Sequence, residues 1–148
     1  MRASSSESKR VANKELVQAI KGIVTLAKGG DIDGAYHGYR DLFTSELFRS
    51  YRPEDQRQAL RFMVFMDGAP KTMTPAMVEA HRAAVAPLTE LVSTLGESSD
   101  HELLGICQVA IGDEATASTV FRAGLAIERE RDPQSKLCGA LMRRVAAL

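Results

Sequence analysis

Apolar residues recur along this chain at the three- and four-residue spacing of helices. Leu16, Ile20, Ile23 and Ala27 form one stripe, with Val17 and Val24 beside it, as in a helix that buries one face. Gly29 and Gly30 stop this helix, because glycine adopts the left-handed C-cap conformation cheaply. Asp31 is placed to cap the next start. The second helix carries Ala35, Tyr39, Leu42, Phe43 and Leu47 and is expected to end near Ser50. Pro53 opens a third, about residues 54–66, whose "ALRFMVFM" is apolar nearly all round and predicts burial on more than one side. Thr74 and Pro75 start a fourth that runs toward Leu95, and Pro87 inside it should kink or split it. Asp100 is expected to cap a fifth helix, "HELLGICQVAI". Gly112 and Asp113 stop that helix and open a sixth, "EATASTVFRAGLAIERER", which ends at Pro133. A seventh, about Ser135 to Ala147, places Leu137, Leu141 and Val145 on one face. Sustained period-two alternation is missing, so the fold class predicted is all-α.

Two Gly-Asp pairs share a longer pattern. Gly30-Asp31 is followed by Ala35 and Tyr39, and Gly112-Asp113 by Ala117 and Phe121, so the offsets from glycine are five and nine in both. Leu104-Gly105 precedes the second pair and Pro133 follows its helix. This resembles the tetratricopeptide repeat (TPR), a helix–turn–helix unit of about 34 residues with small and aromatic residues at fixed positions. The resemblance covers about two thirds of the chain and is strongest in the last unit. The first unit has Gly22-Ile23 where the Leu-Gly pair would stand. Gly30, Gly68 and Gly112 lie 38 and 44 residues apart, beyond a regular period, so the second and fourth helices or their loops must be longer than the repeat requires.

The resemblance implies stacked antiparallel helical hairpins, about three TPR-like units, with a C-terminal capping helix. The expected organisation is a disordered N-terminal tail over residues 1–12 and a single TPR-like domain over 13–148. A generic helical bundle is the alternative fold. In the resembled family the first helix of each pair lines a concave groove. Carried over from Gly30, those positions are Ile20, Val24, Ala27 and Lys28; from Gly68, Gln58, Phe62, Phe65 and Met66; from Gly112, Glu102, Ile106 and Val109. The family's clamp of lysine, arginine and asparagine for a terminal carboxylate is not present. A mostly apolar groove with Phe and Met implies a protein or peptide partner with a hydrophobic or amphipathic segment, in an adaptor or chaperone-like role. Two alternatives stay open. The last helix or the N-terminal segment folds over the groove and makes Phe62, Phe65 and Met66 core, or the apolar surface forms a homodimer.

Charge and chemistry narrow the function further. The 148 residues carry 19 basic and 19 acidic side chains, so no nucleic acid is expected as a partner. No apolar run approaches the ~18 residues of a membrane span, and the first residues, MRASSSESKR, lack the apolar segment of a secretory signal. A cytoplasmic protein with no membrane partner is the expectation. Cys107 and Cys138 have no CxxC spacing and read as buried free thiols. Asp31 and Asp33 do not make a calcium loop, since positions five, six and twelve would be Ala35, Tyr36 and Leu42. His37, His81 and His101 have no second ligand at metal spacing, and no nucleophile or phosphate-loop motif occurs. The chain is therefore not expected to be an enzyme or to hold a metal or cofactor. The run "ERERD" reads as a solvated face with i,i+3 or i,i+4 pairing.

Overall fold

The computed structural model describes residues 5–148, with side chains from Asn13 onward. Among the described residues seven α-helices follow one another: α1 (Ser5–Lys28), α2 (Ile32–Thr44), α3 (Pro53–Val64), α4 (Pro75–Leu95), α5 (Ser98–Ala110), α6 (Glu114–Arg131) and α7 (Lys136–Ala146). There is no strand among the described residues, so the fold is all-α. Of the tail expected over residues 1–12, residues 1–4 lie outside the described residues, and α1 already runs from Ser5. Once a helix is nucleated, each further residue adds a hydrogen bond without a new nucleation cost.

The two Gly-Asp turns close the same way. Gly30 has φ +92° and Gly112 φ +87°. The Gly30 amide donates to the Ala27 carbonyl at 3.1 Å and the Asp31 amide to the Leu26 carbonyl at 2.9 Å. The Gly112 amide donates to Val109 at 3.0 Å and the Asp113 amide to Gln108 at 2.8 Å. These are the paired bonds of a Schellman cap. Each aspartate then caps the following helix, accepting from the Gly34 amide at 2.9 Å and from the Thr116 amide at 3.4 Å.

Other boundaries differ from the periodicity. α2 stops at Thr44, and Glu46–Ser50 form a 3₁₀ turn instead of continuing it. Ser45 leaves the helix in an extended conformation and its hydroxyl accepts from the Leu47 amide at 3.3 Å. Had α2 continued, Phe48 would lie about 140° round from Phe43. The turn brings the two rings to 5.2 Å and buries Phe48 completely, with Tyr51 at 6.0 Å from Phe48 on its other side. α5 starts at Ser98 with Glu97 at its cap, so Asp100 is a fully buried residue of the first turn rather than the cap. α4 remains one helix through Pro87. Proline removes the bond to the carbonyl four residues back, here that of Ala83.

The chain divides into two compact units, Met1–Ala83 and Ala84–Leu148, with the boundary inside α4. In the first unit α1 and α2 pack as a hairpin, burying Leu16 and Ile23 with Ala35, Tyr36, Tyr39 and Phe43. A Cβ on Gly38 would stand 2.8 Å from the Ile23 side chain, so the glycine is what admits that isoleucine. Arg40 of α2 donates to Glu79 of α4 at 2.8 Å.

In the second unit α6 packs between α5 and α7. Ala117, Phe121, Leu125, Cys138 and Leu141 form its core, with Ile106, Leu137 and Val145 packed against it. Cys107 and Cys138 are buried free thiols, and burial pushes the Cys107 thiol up to about 12. The "ERERD" run is not wholly a solvated face, because its first glutamate is fully buried. The Glu128 carboxylate accepts from Arg131 (Nη2 at 2.7 Å), from Ser98 at 3.3 Å and from Ser135 at 3.3 Å. One side chain thus ties the start of α5 and the cap of α7 to the end of α6.

Two outcomes follow. Ala117 is fully buried at the α6 position five residues after Gly112. We expect Ala117→Leu to destabilise the protein by about 1–3 kcal/mol through overpacking, measured by urea denaturation; a neutral result would remove the close packing claimed there. The second concerns Glu128, whose carboxyl is held below the usual range by the Arg131 hydrogen bonds against the opposing effect of desolvation. The folded value is lower than the unfolded one, so the stabilisation is complete at neutral pH and is lost as pH falls through that window. Glu128→Gln should therefore lower the urea midpoint at pH 7, with the gap to wild type closing below about pH 4. A gap unchanged by acid would show that the carboxylate charge is not the source.

Candidate partner-binding groove

Eight of the sequence-predicted groove positions come together in the first unit. They lie along two adjoining depressions between α1 and α3. One, of about 290 Å³, is lined by Ile23, Val24, Ala27 and Lys28 of α1, Tyr39 of α2, and Phe62, Phe65, Met66 and Asp67. The other, of about 240 Å³, is lined by Asn13, Leu16, Val17, Ile20 and Lys21 of α1 and by Asp55, Gln58 and Phe62 of α3. Phe62 is common to both and stands where they meet.

The helical period of α3 places its side chains in two sets. Ala59, Leu60 and Met63 are fully buried. Phe62 and Phe65 are each 45% exposed, so α3 is not buried all round as its composition predicts. Phe65 is the C-cap residue, with φ −108°. The Arg61 guanidinium lies 5.3 Å from the centre of its ring, within cation–π range. At the back of the larger depression the Tyr39 ring stacks on Phe43 at 5.7 Å. Burial, with Tyr36 as a smaller contributor, pushes the Tyr39 phenol up to about 12, so it is neutral and forms part of an uncharged wall.

The remaining positions belong to the second unit and do not form such a surface. Glu102 is buried, and its carboxylate accepts from Arg144 of α7 at 3.0 Å. Ile106 packs against the α6–α7 core. α7 covers this face of α5, and only Val109 stays exposed, at 36%. Glu102 and Ile106 of α5 are thus packing residues, one bonded to α7 and the other set against the α6–α7 core, a correction that the family register alone does not reveal.

Sequence reasoning missed Asn13, Leu16, Val17, Lys21, Ile23, Tyr39, Asp55 and Asp67. Part of this was recoverable by extending the register one heptad toward the N-terminus, since Asn13, Val17 and Lys21 each precede a named groove residue by seven. Tyr39 comes from the second helix of the hairpin, and no register on the first helix points to it.

The histidines take separate places. His81 is buried, its Nδ1 donating to the Met77 carbonyl at 2.6 Å, and burial lowers its basicity. His101 Nδ1 donates to the Glu97 carbonyl at 2.8 Å. The His37 Nε2 lies 3.7 Å from Glu79 at the surface. Among the described residues no three His, Cys, Asp or Glu side chains are placed to hold a metal ion, and no helix is long and apolar enough to cross a membrane. The chain matches no known protein family, no curated protein and no solved structure.

The two sets on α3 should separate cleanly under mutation. We expect Phe65→Asp to retain wild-type helical content by circular dichroism and to shift stability by less than about 1 kcal/mol. Met63→Ala, on the buried face, should cost about 2–5 kcal/mol. If Phe65→Asp unfolds the chain, the ring is core and the groove is closed.

Proposed function

We propose that this protein is an interaction module that takes a hydrophobic or amphipathic segment of a partner protein in the groove between α1 and α3. The observation that carries this reading is the pair of half-exposed rings, Phe62 and Phe65, standing over an apolar trough with Val24, Ala27 and Met66. Fully burying such a side chain contributes about 1.5–3 kcal/mol, so half-exposed rings leave part of that free energy to be gained on association. The trough is open and shallow, a form that suits a chain segment better than an enclosed small molecule. The matching Gly-Asp hairpins support a TPR-like repeat architecture, in which neighbouring first helices would present such a groove. An adaptor or holding role fits this arrangement, and it assigns no catalytic group.

The test compares wild type with Phe65→Asp, both shown to be folded, as bait in source-cell lysate, with the molar mass of each measured by light scattering. We expect at least one protein retained by wild type and lost by the variant, and the bound segment to cross-link to α3. If instead wild type is a stable dimer that Phe65→Asp dissociates, the apolar surface serves self-association and the adaptor reading falls.

A further inference from the structure

The charge along the groove specifies its occupant. Lys14, Lys21 and Lys28 stand seven residues apart on α1. Every seventh residue of a helix returns to within about 20° of the same direction, so the three ammonium groups form one row along α1. All three are exposed, and no ion pair among the described residues engages any of them. Lys21 lines the smaller depression and Lys28 the larger, and Lys14 continues the row next to Asn13, which also lines the smaller one. The acidic groups nearby do not cancel it. Asp55 is taken by Arg52 at 3.0 Å, and Asp67 lies only at the Lys28 end.

Resting on the binding reading above, we infer that the partner segment is an amphipathic α-helix with acidic residues along one edge. Its apolar face enters the trough and its carboxylates meet the lysine row. The groove follows α1 from Asn13 to Lys28, about 22 Å at the helical rise, which is four turns of a docked helix. The lysines repeat about every 10.5 Å, the distance between helix residues seven apart. A helix satisfies its own backbone, whereas an extended segment would need backbone partners. The backbone amides and carbonyls of α1 and α3 are already bonded within their helices and offer none. An apolar row beside lysines also occurs on helices that lie on anionic lipid. Here the apolar positions line a channel between α1 and α3, a form that a single helix fills more completely than a flat bilayer surface does.

The test uses synthetic helical peptides of about 18 residues with one Leu/Ala stripe and, at three edge positions seven apart, Glu, Gln or Lys. Binding to the full chain is measured by fluorescence anisotropy at low and high salt, and peptide helicity by circular dichroism. We expect the Glu peptide to bind tightest, to weaken with salt and to gain helicity on binding. Lys21→Glu with Lys28→Glu should weaken it by about tenfold, the scale of two exposed pairs turned repulsive, and should favour the Lys peptide. Equal binding of the Glu and Gln peptides would overturn the acidic-edge inference while leaving the groove reading standing. Failure of all three peptides would remove the groove reading itself. Binding of anionic phosphatidylserine vesicles in place of every peptide would also overturn the inference, in favour of a lipid surface.

Discussion

The fold depends on a constraint that two adjacent residues satisfy together at each well-formed hairpin. The chain must end one helix, reverse and begin another without stranding the amide and carbonyl groups that helix ends leave unpaired. Gly30 and Gly112 meet the first demand with a positive φ that L side chains rarely adopt. Asp31 and Asp113 meet the second with a carboxylate turned onto the next helix. Neither glycine has an atom within 4 Å of where a Cβ would sit. The requirement is therefore torsional and not a matter of room. Because both turns close with the same bonds, the residue four after each aspartate, Ala35 or Ala117, reaches the preceding helix with no exposed surface.

The same turn supports two different interfaces. In the first hairpin the small residue is on the second helix, where Gly38 receives Ile23. In the other it is on the first helix, where a Cβ on Gly105 would stand 2.3 Å from the Phe121 ring, and a second contact sets Gly124 against His101. Close approach needs one side of each contact to be small, and it is indifferent to which helix supplies it. The absence of a Leu-Gly pair in the first unit therefore does not break the hairpin.

What was legible in the sequence follows from the range of the interactions involved. The cap at Asp31 is local, encoded within four residues, and the structure forms it as read, while Asp113 and Ser135, read as the openings of their helices, are the cap residues of α6 and α7. The stripe on α7 is equally local. The 3₁₀ turn after Thr44 was hidden, because it follows from Phe48 reaching Phe43 and Tyr51, a preference that helical periodicity cannot express. Asp100 has the composition of a cap and the position of a buried residue. Glu102 and Ile106 failed as groove positions for a tertiary reason, since the Arg144 that bonds Glu102 comes some forty residues later in α7 and the core that takes Ile106 is built by α6 and α7. The α1–α3 trough was legible because its two helices carry their apolar positions at one register. Its floor was not, because Tyr39 enters from α2.

The openness of that trough is a consequence of what α3 already buries. Ala59, Leu60 and Met63 give α3 a complete inner face, enough to hold a helix of this length through packing. Phe62 and Phe65 add nothing that this attachment requires. A sequence free to choose polar residues there would gain solubility at no loss of core, yet both positions carry a ring that remains 45% exposed. Beside them Lys14, Lys21 and Lys28 of α1 stand outside every ion pair among the described residues, while Arg52, the N-cap residue of α3, is committed to Asp55. Apolar surface and uncommitted charge thus run side by side along one channel, each left unsatisfied by the fold. A ligand that satisfies only one of them would forgo the other, so the arrangement favours a segment that is apolar on one side and acidic on the next.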